Sequence, residues 1–502
     1  MNYYGWLIYQ PLATHKSVTE VRQEILSLGK DSMIYGVGSV ITRFIGLITL
    51  PLFTAYLKPE EYGVIAMLSL LTMVAQPVFS LGLSAAMGPS YFEHDNLLNK
   101  SKTVWTVFLI NIVSATLLVV IAWLFPVTLS QLVRLPAEYA HLVGVSLTGC
   151  ALTILATSFA QRVQFEKQSK LYVLITLATA LVAILVSIIT VVFLEWGVKG
   201  MVIGQLAGNT ATFLAFLFIG LKAMKPVVSF VLARELLRLG LPLVPSFAFL
   251  FILMHTNKFI LEWQVGLDAV GIYSIGFNLG MVISIVTGGI ATAWYPFFMT
   301  YMERQSEAGG IFGRIFTYYV FGVGFICLLF FFAAKPAVLL LTQEAFHDAY
   351  VVVGYVALAY FAQTIFNFFL PGLYFNGEMK YVSLVQGLAA LLSLPLNYLL
   401  IANMGLLGAG IGLAVSNFLM VGLMYGWNYL NRSRYLVIKY EWGRVGLFMV
   451  IFTTVFFANE MIIVNSIIAE VSKTIALLIA ALCLTFMLLN SGERNFLYQG
   501  RK

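Results

Sequence analysis

LYVLITLATALVAILVSIITVVFL, residues 171–194, runs from Lys170 to Glu195 without one charged side chain. As an α-helix it would be about 36 Å long at ~1.5 Å per residue. The hydrocarbon core of a bilayer is about 30 Å thick, so this segment suffices to cross it. Similar runs lie on either side, near 31–57, 61–88, 103–125, 138–162 and 197–222. After a basic linker they continue at 232–258, 270–299, 313–334, 350–376, 380–401, 405–431, 443–463 and 467–489. The expected fold is therefore an all-α polytopic membrane protein of about 14 transmembrane helices.

The composition agrees. Of 502 residues, 60% are hydrophobic and only 10% charged, and the mean hydropathy is +0.92. A soluble domain carries about 25% charged residues, so lipid must be the solvent here. The net charge of +7 follows from membrane topology and not from nucleic acid. With the N-terminus inside, six of the 29 basic residues fall outside: Lys58, Arg134, Lys199, Lys258, Lys335 and Lys473. Arg43 lies within the first span and the other 22 fall inside. The positive-inside rule then places both termini in the cytoplasm. No cleavable signal peptide is evident. Instead Ser17-Val18-Thr19-Glu20 resembles a capping box that opens an amphipathic surface helix, with Gly29 expected to end it. Cys150, Cys327 and Cys483 lie in apolar runs with no metal spacing, which reads as three small buried hydrophobes.

A repeat occurs at an offset of 208 residues. Glu60-Glu61-Tyr62-Gly63-Val64-Ile65 parallels Asp268-Ala269-Val270-Gly271-Ile272-Tyr273, and Gly197, Gly200, Gly204 and Asn209 parallel Gly405, Gly408, Gly412 and Asn417. The copies are six helices apart and so share one orientation in the membrane. The expected organisation is a cytoplasmic N-terminal segment (1–30), a six-helix lobe (31–222), a linker (223–231) and a second six-helix lobe (232–431). Two additional helices (432–489) and a cytoplasmic tail (490–502) follow. Gly200, Gly204 and Gly208, and again Gly408, Gly412 and Ser416, put a small residue at every fourth position. That spacing lets helix backbones approach closely in lipid. Pro51, Pro242 and Pro245 remove backbone donors inside the helices that lead each lobe, and so are candidate hinges.

Catalytic patterns are missing. There is no phosphate loop, no DxD pair, no HExxH and no nucleophile elbow, and the short connections leave no room for a soluble catalytic domain. No cofactor, metal or nucleic acid is called for. What stands out is polarity inside the spans, which is costly in lipid and usually functional. Arg43, in Gly36-Val37-Gly38-Ser39-Val40-Ile41-Thr42-Arg43, falls near mid-membrane. His255, Asn257 and Lys258 lie on the seventh helix, Lys258 near enough to its outer end to snorkel. Asn278 follows in the eighth, and Gln363 and Asn367 share one face of the tenth at i, i+4 spacing. No Asp or Glu falls deep in a span. A cavity holding arginine and amides but no acid suits an anion, and arginine matches phosphate oxygens well.

The glycine-rich opening helix with Arg43, then Pro51-Leu52-Phe53-Thr54-Ala55-Tyr56-Leu57 and Glu61-Tyr62-Gly63, resemble the polysaccharide transporter and O-antigen flippase branch of the multidrug/oligosaccharidyl-lipid/polysaccharide exporter superfamily. So do Asn257-Lys258-Phe259-Ile260-Leu261, Val270-Gly271-Ile272-Tyr273-Ser274 and Ala293-Trp294-Tyr295-Pro296-Phe297. The resemblance implies two parallel-repeat six-helix bundles forming a V-shaped cavity, with two extra C-terminal helices. It also implies flipping of undecaprenyl-diphosphate-linked oligosaccharide from the cytoplasmic to the periplasmic leaflet of a bacterial inner membrane. The partners would be that lipid-linked glycan and membrane lipid, with glycan polymerase or glycosyltransferases alongside. Asn257 stands where the family usually has an acid, and Asn278 where it often has lysine. The expectation is a flippase working by alternating access on an O-antigen or exopolysaccharide repeat unit. Arg43, with His255 and Lys258, would compensate the diphosphate. The rivals are a proton- or sodium-coupled small-solute exporter of the same fold, a membrane glycan polymerase or ligase, and a glycosyltransferase scaffold.

Overall fold

The computed structural model describes residues 18–93, 96–462 and 467–487. The proposed capping residue Ser17 and the tail at 490–502 lie outside them. The described residues are mostly helical, with no strand among them. The first part of the chain forms α1 (Val18–Tyr56), α2 (Pro59–Phe79), α3 (Leu83–Phe92), α4 (Leu97–Leu124), α5 (Pro126–Leu132), α6 (Ala140–Phe165), α7 (Ser169–Ile188) and α8 (Gly197–Ala223). Then come α9 (Phe230–Gly240), α10 (Val244–Gln264), α11 (Leu267–Gly280), α12 (Ser284–Met299), α13 (Gln305–Leu341), α14 (Tyr350–Phe368) and α15 (Pro371–Phe375). The last are α16 (Lys380–Leu430), α17 (Trp442–Met461) and α18 (Ile467–Met487).

Eleven helical segments among the described residues are long and apolar enough to span a bilayer. One of them, α16, is two helices joined at Gly405, whose φ of 53° and ψ of −124° interrupt it. The helices α10 and α18 add 21 residues each. Large apolar side chains stand open on the surface, Phe193 at 75% exposure and Leu340 at 80% among them. Water would not tolerate apolar exposure on that scale, whereas lipid does.

Three local expectations are corrected. Gly29 does not end a surface helix, because α1 runs through it from Val18 to Tyr56; a mid-helix glycine costs only about 1 kcal/mol. The seventh span is not continuous from 232. Pro242 sits in a 3₁₀ turn, Leu241–Leu243, that separates α9 from α10, as a proline that cannot donate to the helix ladder requires. Cys150 and Cys327 are buried, but Cys483 is exposed; on a lipid-facing surface an apolar side chain gains little from burial in protein.

The chain forms two compact units. One holds the described residues up to Thr49 together with Val64–Ala248, and the other holds Leu50–Gly63 together with Phe249 onward. Inside the second unit the 208-residue repeat acquires a physical meaning. A Cβ added at Gly63 would overlap the Leu267 carbonyl, and one added at Gly271 would overlap the Pro59 carbonyl. Those four positions are related by the same offset, so the contact is reciprocal. Gly197 and Gly405, also 208 apart, share positive φ values of 52° and 53°, a region that disfavours any side chain.

In the first unit a polar cluster joins α3 to the end of α6. Arg162 donates twice to Glu166, Nε to Oε1 at 2.9 Å and a terminal nitrogen to Oε2 at 2.7 Å. The Tyr91 hydroxyl donates to Glu166 at 3.2 Å, and Gln168 donates at 3.0 Å. Glu166→Ala would leave the buried Arg162 guanidinium without its counter-ion. The expected cost is about 3 kcal/mol, read as earlier thermal unfolding of the purified protein. Burial, then the Glu166 carboxylate, pushes the Tyr91 phenol up to about 12. Its unfolded value is near 10. Between those values the unfolded chain loses this proton and the folded chain keeps it, so stability should fall as pH rises from ~10 to ~12.

Candidate functional site

The second unit has an open-mouthed cavity of about 360 Å³ lined from α10, α12, α14, α15 and α16. That volume lies within the range of small-ligand sites, on the order of 300–1,000 Å³. Three amides line it, Gln363 and Asn367 from α14 and Gln386 from α16. Around them stand the hydroxyls of Ser284, Thr287 and Thr364 and the rings of Tyr360 and Tyr374. Among the described residues, no charged side chain and no histidine lines the cavity.

Local sequence explains why α14 ends beside it. Pro371 has no N–H to offer the carbonyl four residues back. The carbonyls freed at that break are taken up by side chains from three other segments. Trp294 Nε1 donates to the Asn367 carbonyl at 3.0 Å. Asn428 Nδ2 donates to Phe369 O at 2.7 Å, and the Tyr440 hydroxyl to Phe368 O at 3.4 Å. Packed below them are Phe316, Tyr319, Phe361 and Phe368, with Tyr319 stacked on Phe361 at 5.3 Å. The broken helix end is thus fixed by both packing and hydrogen bonds, and with it the side chain of Asn367.

Gln363, Asn367 and Gln386 are half-buried, and among the described residues none of their side chains makes a hydrogen bond to protein. Asn257 differs. It is fully buried, and its Nδ2 donates to Asn397 Oδ1 at 3.1 Å and to Ala409 O at 2.7 Å. Asn397 Nδ2 donates onward to Ser393 O at 2.7 Å and Ser416 Oγ at 3.0 Å. This chain of bonds ties α10 to both halves of α16.

The remaining candidates are placed as follows. Lys258 is buried, and its ammonium lies 5.0 Å from the centre of the Phe277 ring, a favourable cation–π position. His255 packs between Phe251 at 5.3 Å and Phe277 at 5.7 Å. Phe277 in turn lies 6.4 Å from Tyr360, a residue of the cavity wall. Asn278, next to Phe277, is exposed. Arg43 belongs to the other unit, half-buried on α1. Gln363 and Asn367 therefore share the cavity, His255 and Lys258 share Phe277, and Asn257 points into helix packing.

In the first unit, Gly204 meets Ser187 and Gly208 meets Ala183 so closely that an added Cβ would overlap them. Gly200 approaches Thr190 and Val191. A smaller cavity there, about 90 Å³, is lined by Thr72, Gln76, Ser146, Thr153, Gln205 and Asn209.

The same architecture occurs in solved transporters. The lipid II flippase MurJ, in an inward closed conformation, superposes with a TM-score of 0.64 at 12% identity, over 91% of this chain and 99% of that one. An inward-facing multidrug resistance MATE family transporter of the MOP superfamily gives 0.62 at 15% identity, over 80% and 94%. The MATE multidrug transporter DinF-BH gives 0.58 at 16% identity, over 81% and 95%. No curated protein matches the sequence significantly. Residues 28–302 match the family described as polysaccharide biosynthesis protein. The chain belongs to that family. It is the polysaccharide branch of the exporter superfamily that the motifs around Arg43, Gly63 and Trp294 resemble, and its fold is the one those solved transporters have.

Sequence reading missed Gln386, Ser284 and Tyr360 as wall residues. Gln386 carried a usable signal, since it is an amide in the apolar run Val382–Leu392 and is of the same kind as Gln363.

Proposed function

We propose that this protein is a flippase that moves undecaprenyl-diphosphate-linked oligosaccharide, an O-antigen or exopolysaccharide repeat unit, from the cytoplasmic to the periplasmic leaflet of a bacterial inner membrane. The observation that carries the proposal is a neutral, amide-lined cavity inside a membrane-helical unit of a polysaccharide biosynthesis protein. A glycan head needs such a polar surface while its prenyl tail stays in lipid. No covalent bond changes, so no catalytic residue is required.

Arg43 is assigned to the diphosphate. It lies nine residues into the span Ile34–Tyr56, about 14 Å along at ~1.5 Å per residue, where a charge is tolerated only for function or a buried partner. Lys258 and His255 are further groups for the anion, and Asn257 holds α10 so that Lys258 keeps its place. The unit boundaries at Thr49/Leu50 and Ala248/Phe249 fall close to Pro51 and Pro245. That supports these prolines, with Pro242, as hinges for alternating access. Both termini are assigned to the cytoplasm, and enzymes that build or polymerise the glycan are the expected partners. Cells lacking the protein should accumulate lipid-linked repeat units that an impermeant glycosidase cannot reach from outside. Normal accessibility in those cells would contradict the proposal.

A further inference from the structure

We infer that the cavity between α12, α14 and α16 is a recognition site for a neutral sugar ring of the transported head group, distinct in chemistry from the groups that hold the diphosphate. The inference rests on the flippase reading and narrows it to a substrate class.

Three observations combine. First, the half-buried amides of Gln363, Asn367 and Gln386 converge on one cavity from two helices, and no described residue takes up their hydrogen-bonding capacity. The side-chain nitrogens of Asn257, Asn111, Asn397 and Asn428, by contrast, are held by protein partners. An amide both donates and accepts, as does a sugar hydroxyl or an N-acetyl group, so the two inventories match in kind. Second, Tyr360 and Tyr374 stand in the same wall, and an aromatic ring is the kind of surface on which the apolar C–H face of a pyranose packs. Third, among the described residues the lining carries no cation. A uronate or phosphate seated there would lose part of its hydration and meet no counter-charge from the wall. The cavity therefore selects neutral hexoses or N-acetylhexosamines and disfavours acidic sugars.

The test is binding to the purified full chain by equilibrium dialysis, with a neutral N-acetylhexosamine disaccharide and a hexuronic acid disaccharide as probes. The neutral probe should bind and the acidic one should not. Gln363→Leu with Gln386→Leu should weaken the neutral probe about tenfold or more, since each change removes an amide without altering its size much. Gln363→Lys adds a cation at the same place and should turn the preference toward the acidic probe, which guards against a double variant that fails to fold. Equal binding of both probes, or neutral binding indifferent to Gln363 and Gln386, would overturn the inference. If lipid-linked glycan crosses the bilayer but the neutral probe does not bind, the sugar site fails and the flippase reading stands. If the neutral probe binds as predicted but no lipid-linked glycan crosses, the reverse holds.

Discussion

Arg43→Ala should lower transbilayer movement of lipid-linked oligosaccharide about 10- to 100-fold while leaving protein abundance and thermal stability close to normal. The magnitude follows from a charge-assisted hydrogen bond to phosphate, ~1.5–3 kcal/mol, with ~1.4 kcal/mol per factor of ten. The position is what makes the effect large. Arg43 is half-buried within Ile34–Tyr56, a segment with no other charge between Ile34 and Tyr56. Arg43→Lys should recover only part of the loss, because an ammonium is a point charge and cannot present two parallel N–H groups to one phosphate. Full transport by Arg43→Ala, measured against equal amounts of folded protein, would remove Arg43 from the substrate path.

Gly412→Ile should abolish recovery of well-folded protein, or lower its stability by about 3 kcal/mol or more. A Cβ at residue 412 would overlap Asn397 Oδ1, the atom that accepts from Asn257 Nδ2. Overpacking alone costs about 1–3 kcal/mol, and buried polar groups left without partners add to it. The comparison is Gly422→Ala on the same helix, where an added Cβ meets nothing within 4 Å. That change should be neutral or slightly stabilising, since alanine is the better helix former. Detergent-solubilised yield and the unfolding midpoint read both variants. Equal behaviour of Gly412→Ile and Gly422→Ala would show that the small-residue contact is not needed.

The spans were legible because lipid imposes one demand, a long apolar helix with its backbone bonds satisfied internally. The repeat was legible for a related reason. Gly63 with Gly271 is fixed by close approach, and Gly197 with Gly405 share the positive φ that glycine adopts at least cost. Where the reading failed, two signals competed. Pro242 reads as a hinge within one span, but it separates two helices, because amphipathic α9 and α10 adjoin through a three-residue 3₁₀ turn without a polar loop. Gly29 suggested a stop, but nothing after it opposes helix.

The site was only half legible. Spacing put Gln363 and Asn367 on one face of a helix, and they do share a cavity. No spacing rule could join them to Gln386 or Ser284, since that convergence depends on how α12, α14 and α16 pack. Nor could composition tell the Asn257 amide, held by Asn397 and Ala409, from the amides left open to the cavity.

The most direct test of the flippase reading is movement of a short undecaprenyl-diphosphate oligosaccharide across proteoliposomes that contain the intact protein and no other. Flipping at a rate well above protein-free vesicles, and lost in Arg43→Ala, is the predicted result. No flipping by correctly folded protein across several glycans, with uptake of a small solute driven by a cation gradient instead, would contradict it.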